Sequence, residues 1–264
     1  LKSDIRYMQG VLVVSRQSVF NKDSFWFKGN LHTHSTQSDG RLEVEEVARL
    51  YREQGWNFLA ITDHDFFSTW QELNRDNFII IPGIEVEANI PKFGRCHHIV
   101  GIHKDGDGAR HLEKTERPSQ MGMAGAQHLI DELAKDNYLS IYCHPSWSRV
   151  EWDDISELRR FTAIEIYNNG CAIEDHTGLC LWHWDAFLRR RIPIWGVATD
   201  DAHHWIEDRC GGWITVNAPS LTIKDVTDAI VAGRFYSSTG PEIIDYGLDG
   251  NKVYVECSPA QVIH

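Results

Sequence analysis

The sequence predicts an α/β protein, a distorted TIM-like barrel of about seven strand–helix steps closed or nearly closed around a parallel sheet. Three observations carry that expectation. Short apolar β-like runs alternate with amphipathic stretches, the pattern of successive βα units. The 264 residues suit one such barrel, for which about 250 is usual. Histidines and carboxylates fall where apolar runs end, which is how a barrel gathers distant ligands on one rim.

Residues 1–23 are mixed, with one short apolar run at 10–14, and are set apart as an N-terminal extension. The stretch 25–34 reads as a strand entering a loop. Over 42–54, Leu42, Val47, Leu50 and Tyr51 recur at near-helical spacing, and Gly55 suits a C-terminal cap. A buried-type strand is expected at 58–62. Another at 78–81 is interrupted by Pro82-Gly83 and resumes at 84–88, and 99–102 is short and apolar. The polar segment 104–120 reads as a surface loop. A helix is expected at 124–135, strands at 139–143, 163–167 and 192–198, and a helical stretch at 178–191. A strand at 213–216 and a helix at 223–232 closing on Gly233 complete the barrel, expected over 24–241. The remaining 242–264 ends in an alternating strand, Val253 to Cys257, with no evident partner. It reads as the start of a truncated C-terminal β-rich segment.

A formal net charge of −12 repels phosphate backbones, so no nucleic-acid partner is expected. No apolar run approaches the ~20 residues that span a bilayer, so no membrane partner is expected either. The six cysteines, at 96, 143, 171, 180, 210 and 257, form no CxxC pair. They read as free thiols of a reducing compartment, which points to the cytoplasm. The start at Leu1 leaves a removed upstream signal open.

The chemistry lies in the strand-end residues. His32 and His34 stand two apart on an extended segment, so both imidazoles reach one ion. Asp39 follows on a Ser-Asp-Gly turn. His64 ends a strand, and Asp63 or Asp65 can orient a ligand histidine through its second ring nitrogen. Glu85 interrupts an apolar strand, where an unpaired carboxylate is costly to bury and a bridge between cations satisfies it. Glu87 competes for that role. His97 and His98 face opposite ways on a strand, so at most one enters the cluster. His144 precedes Pro145, and Asp201 and His203 repeat the two-residue spacing. Imidazole nitrogens mixed with carboxylate oxygens suit Zn, Mn or Fe, and point to a multinuclear metallohydrolase.

Taken in order, Asn30-Leu31-His32-Thr33-His34, Ser38-Asp39-Gly40, Ile61-Thr62-Asp63-His64, Gly83-Ile84-Glu85, His98-Ile99, His144-Pro145 and Asp201-Ala202-His203 resemble the PHP (polymerase and histidinol phosphatase) metallohydrolase superfamily. Glu165-Ile166-Tyr167-Asn168, the Ala-Thr-Asp-Asp-Ala-His run and the segment from Gly233 to Pro241 resemble its carbaryl-hydrolase-like (CehA/McbA-type) branch. The resemblance implies a distorted (β/α)7 barrel of the PHP type holding two or three divalent ions. His32, His34, Glu85 and Asp201 would hold the first, Glu85, His98 and His144 the second, and Asp39, His64 and His203 the third.

The expected reaction is hydrolysis of a small-molecule phosphate ester by a metal-bridging hydroxide, with Glu85, Asp201 and His203 at the reacting centre. Hydrolysis of a carboxylic ester, carbamate or amide by the same centre is the alternative. His103, His176 and His204 are candidate acids for the leaving group, and Arg149 and Arg209 candidate anion holders. Arg149, Asn168 and His204 are candidate substrate contacts. Trp147, Tyr167, Trp195 and Trp205 are candidate walls of an apolar leaving-group pocket.

Overall fold

A computed structural model describes residues 6–8, 11–13, 16–67, 69–91, 94–106 and 119–264. The loop expected at 104–120 lies largely outside them. In chain order the strands are β1 (Arg6–Met8), β2 (Val11–Val13), β3 (Gln17–Ser18), β4 (Phe25–Asn30), β5 (Phe58–Ile61), β6 (Ile79–Asn89), β7 (Cys96–His103), β8 (Tyr138–Tyr142), β9 (Ala163–Asn168), β10 (Trp195–Thr199), β11 (Trp213–Ala218), β12 (Phe235–Ser238), β13 (Ile243–Asp249) and β14 (Lys252–Cys257). The helices are α1 (Val44–Glu53), α2 (Gly122–Lys135), α3 (Trp152–Ile155), α4 (Asn169–Glu174), α5 (Leu181–Arg189) and α6 (Ile223–Val231). None among the described residues is long and apolar enough to cross a membrane.

Nine strands form one barrel-like sheet in the order β10-β9-β8-β7-β6-β5-β4-β11-β12. Seven run one way, while β7 and β11 run against them. The wholly parallel sheet expected from the sequence is thereby corrected to a mixed one. The βα alternation fails after β6, because β7 follows through a short connection and an antiparallel pair needs no crossover helix.

β6 also runs unbroken through Pro82-Gly83, which the sequence suggested as an interruption. Pro82 pairs with Ile61, and the ladder to β7 begins at Gly83. A Cβ at Gly83 would stand 2.7 Å from Thr62 Cγ2 and 3.0 Å from the Ile61 carbonyl oxygen. Close strand approach, and not a turn, is what requires the glycine.

Alternate side chains along each strand face the barrel interior. Phe58 and Ala60, Ile79 and Ile81, Val100 and Ile102, Leu139 and Ile141, and Ile214 and Val216 build one apolar core there, with Val226, Ala229 and Ile230 of α6 packed on it. The same inward series then turns polar. Glu85 continues the line of Ile79 and Ile81, His98 that of Val100, Glu165 that of Ala163 and Thr199 that of Val197. The outward residues Leu59, Ile61 and Ile80 pack on Val44, Val47 and Tyr51 of α1. Ile84, Val86 and Ile99 pack on α2.

The ends of the sheet, β10 and β12, are hydrogen-bonded through the Ser237 hydroxyl. Ser237 Oγ accepts from the Ala198 N–H at 3.1 Å and donates to the Gly196 carbonyl at 2.8 Å. At the rim, Thr33 beyond β4 bridges Ala202 beyond β10. The strand expected to lack a partner has one, since β14 pairs with β13, and β13 with β3, in a separate three-stranded sheet.

Candidate metal centre

The segments leaving β4, β5 and β10 dock side by side on one rim. The His34 N–H donates to the Ala202 carbonyl at 3.0 Å, Asp201 N–H to His32 at 2.9 Å, and Thr62 N–H to Thr33 at 3.0 Å. His64 bridges Glu85. Asp201 and His144 hold left-handed backbone angles, φ 53° and 24°. L-residues adopt these at a cost, and such angles cluster at functional sites.

At the centre lie four buried groups. His34 Nε2 is 3.2 Å from His32 Nε2, 3.0 Å from Asp201 Oδ1 and 3.2 Å from Glu85 Oε2. His32 Nε2 is 3.1 Å from Asp201 Oδ1 and 3.2 Å from Glu85 Oε2. A tetrahedral ion with ligands at about 2.0 Å sets neighbouring ligand atoms roughly 3.3 Å apart. Five edges of this donor set come within a few tenths of an ångström of that figure. Two ring nitrogens facing each other and the same two carboxylate oxygens make a poor hydrogen-bond set and a good coordination shell. Burial disfavours the charged forms, yet mutual pairing prevails. Asp201 and Glu85 hold the His34 ring up to about 9, and the surrounding histidines keep the Glu85 and Asp201 carboxyls well below their ordinary values.

Two further groups flank this one. Glu85 Oε1 lies 2.8 Å from His98 Nδ1 and 3.4 Å from His144 Nε2. On the other side Asp39 Oδ2 lies 3.7 Å from His64 Nε2 and 3.5 Å from His203 Nε2, and Asp39 Oδ1 lies 3.5 Å from His34 Nδ1. All nine residues expected as ligands from the sequence therefore meet in one place. His98 faces inward, while His97 faces away with its Nδ1 2.6 Å from Tyr142 Oη.

Sequence reasoning missed the residue that anchors the set. Glu165 accepts from His32 Nδ1 at 2.8 Å, the His144 N–H at 2.7 Å, Asn168 Nδ2 at 2.9 Å and Thr199 Oγ1 at 2.6 Å. With Nδ1 engaged, the His32 Nε2 lone pair is left for a cation. The signal was present, a glutamate inside the apolar run Ala163-Ile164-Glu165-Ile166, the same cue that marks Glu85. Asp63, expected to orient a histidine, instead accepts from the Ser35 N–H, Ser35 Oγ and Ser38 Oγ, each at 2.7 Å. It thus fixes the turn that carries Asp39. Asp200 is also structural. It accepts from Tyr51 Oη and three backbone N–H groups of 210–212, while burial pushes its carboxyl up to about 6.

A cavity of about 280 Å³ opens on the cluster, walled by Trp147, Trp205, Gly170, Cys171 and Glu174 beside the ligands. Trp147 packs edge-on to His98 and His144, and Trp205 Nε1 donates to the Asp39 carbonyl at 3.2 Å. The remaining sequence candidates lie outside the lining of this cavity. Asn168 is fully buried, its Nδ2 donating to Glu165 and to Asp201 (3.1 Å) and its Oδ1 accepting from the Cys171 N–H, so it positions carboxylates. Arg149 and His204 do not line the cavity. Arg149 is exposed at a left-handed backbone position, φ 53°, and His204 is buried. Arg209 pairs with Glu207 at 3.0 Å. His103 packs against Phe67 and Tyr138, and His176 is exposed off the wall. Trp195 opens β10 at the far end, against Phe235, and the Tyr167 hydroxyl is turned to Asn169.

Residues 30–173 match the PHP domain family. A stretch of 82 residues is 38% identical to a 5'-3' exoribonuclease of Haemophilus influenzae, covering 30% of this chain and 29% of the relative. One of 77 residues is 38% identical to a phosphoribosyl 1,2-cyclic phosphate 1,2-diphosphodiesterase of Eggerthella lenta, covering 28% of this chain and 29% of the relative. The matches thus span under a third of these curated relatives. In fold the chain is similar to a two-domain protein of Bacteroides vulgatus containing a predicted PHP-like metal-dependent phosphoesterase. The TM-score is 0.54 at 13% identity, over 92% of this chain and 78% of that one.

Proposed function

Because the chain belongs to the PHP domain family, we propose that it is a metal-dependent hydrolase, and foremost a phosphoesterase acting on a small-molecule ester. The observation that carries this reading is the tetrahedral spacing of His32, His34, Glu85 and Asp201 beneath an open cavity. These four would hold the first divalent ion. Glu85, His98 and His144 would hold a second, and Asp39, His64 and His203 a third, with Zn, Mn and Fe fitting the donors. When bound, such ions supply an activated water near neutral pH and take up charge on the phosphoryl oxygens.

The protein's own part is to orient and enclose. Glu165 and Asn168 fix the ligands, and Trp147 and Trp205 face the leaving group and shed water from it. Glu174, exposed at its outer edge, stands on the same wall, where partial desolvation raises its carboxyl and His203 opposes the rise. It is the side chain set to give a proton to the departing oxygen. The Glu165–Asn168 segment and the Ser237 seam lie in the stretches that support the CehA/McbA-type branch. Seven co-directional strands support a distorted (β/α)7 barrel over 24–241, with 1–23 and 242–264 as flanking segments.

The cavity wall carries no Lys or Arg among the described residues, so it offers nothing to track a phosphate backbone. That favours a small ester over a nucleic acid. The same absence, with two exposed indoles, favours a second reading, attack at carbon in a carboxylic ester, carbamate or amide. Elemental analysis of the purified chain, paired with aryl phosphate mono- and diesters against aryl carboxylic esters and carbamates, separates the two. The phosphoesterase reading expects bound transition metal and turnover of the phosphates. Turnover of carbon esters alone would move the assignment to the second reading, and a chain that binds no metal would sink both.

A further inference from the structure

The β6–β7 hairpin carries a second group of donors on the outer side of His98. Its register sets Glu87 opposite His98 and Asn89 opposite Cys96. Cys96 and His98, two apart on one strand, present their side chains to the same face. The two ring nitrogens of His98 then look in opposite directions. Nδ1 meets Glu85 Oε1 of the central cluster at 2.8 Å, whereas Nε2 meets Cys96 Sγ at 2.8 Å and Glu87 Oε2 at 3.5 Å. One sulfur, one nitrogen and one carboxylate oxygen thus lie within 4.8 Å of one another. Glu87 and Cys96 are half-buried, and neither lines the cavity over the central cluster.

We propose that Glu87, Cys96 and His98 form an accessory transition-metal site that shares His98 with the catalytic cluster. A thiolate, an imidazole and a carboxylate suit Zn²⁺, Co²⁺ or Cd²⁺ and not Mg²⁺ or Ca²⁺. Water completes the fourth position. Bonds of about 2.3 Å to sulfur and 2.0 Å to nitrogen place those two atoms roughly 3.5 Å apart. The pair seen at 2.8 Å therefore opens slightly as the ion enters. The thiol loses its proton to solvent on binding, and the ring loses the one on Nε2. A single imidazole cannot serve two cations at full strength, so the outer ion weakens the inner hold of His98 and excess metal inhibits hydrolysis. That inhibitory arm rests on the catalytic reading given above; the binding arm does not.

The test uses the whole chain, loaded with its tight metal and titrated with Co²⁺, in wild type, Cys96→Ser and Glu87→Gln. The expected result is one further equivalent bound with a thiolate-to-cobalt charge-transfer band in the near ultraviolet. The band is absent from Cys96→Ser and weakened in Glu87→Gln. Excess Zn²⁺ is expected to slow wild-type hydrolysis at least tenfold relative to its own rate at limiting metal, and to leave Cys96→Ser unchanged relative to its own rate. An identical band and stoichiometry in Cys96→Ser would overturn the site. Loss of the band with inhibition retained would overturn its coupling to the cluster. A band in a chain that turns over no ester would uphold the site and refute the hydrolase.

Discussion

The inner and outer halves of the cluster are built on different terms. His32, His34, Glu85 and Asp201 are at most 7% exposed, and protein groups hold their second donor atoms. The outer carboxylate of Asp39 rides on a turn at 55% side-chain exposure, beside His64 and His203 at 28% and 22%. Burial with fixed partners makes a coordination shell before an ion arrives. Exposure on a turn makes one that forms with the ion. Fixed geometry belongs to the first, and exchange with solvent to the second.

Substitutions that leave helix content unchanged test this contrast. Asp201→Ala should strip the inner ion and lower kcat/KM by at least about 10³-fold, beyond the 10–100-fold that outer supports cost. Full activity, with metal retained by elemental analysis, would break the scheme. Glu174→Gln should slow alkyl esters by about 10²-fold while sparing nitrophenyl esters, whose leaving groups need no proton. Equal losses on both would remove the acid role. Glu165→Gln touches no ion, yet it should weaken metal affinity by about 10–100-fold in a chelator competition. Unchanged affinity would deny that the inner shell is preorganised. Asp39→Asn should release one ion at lower chelator concentration and cost roughly tenfold in rate, in line with loss of one exposed ligand. Loss of every ion together would show the two halves to be one.

The smallest effect is on stability. His183 lies off the cluster, its ring donating to the Val150 carbonyl at 3.0 Å, and burial holds its pKa down to about 4. Unfolded chains protonate histidine near 6.5, so the unfolded state binds the extra proton between those values. The stability from the neutral ring is complete above pH 6.5 and is lost as pH falls toward 4. His183→Gln should flatten the fall of Tm across that window by about 2–4 °C. A slope equal to the wild type's would assign the acid sensitivity elsewhere, to His97 and His204, which burial also holds down to about 4.

The ligands were legible because each stands where an apolar run ends or is interrupted, and two pairs, His32 with His34 and Asp201 with His203, are spaced two residues apart. Glu165 was not recognised as their anchor, since its partner His32 is 133 residues away and only the closed barrel brings them together. Pro82-Gly83 read as a break because the dipeptide is a turn signal, whereas the neighbouring strands, invisible locally, select it for close approach. Trp195 was placed on the rim from its position at a strand end. It marks the beginning of β10 and not its end, which period alone does not distinguish. The cavity wall from α4 escaped notice because a six-residue helix carries too little periodicity to register.

The barrel closes through Ser237 and the Thr33–Ala202 bridge, with no ladder between β10 and β12. His32 and His34 leave β4, and Asp201 leaves β10, so a cation gripped by all three would act as a rivet through the rim where those two extensions overlap. Its binding free energy would then add to the stability of a cylinder that the backbone has already shut.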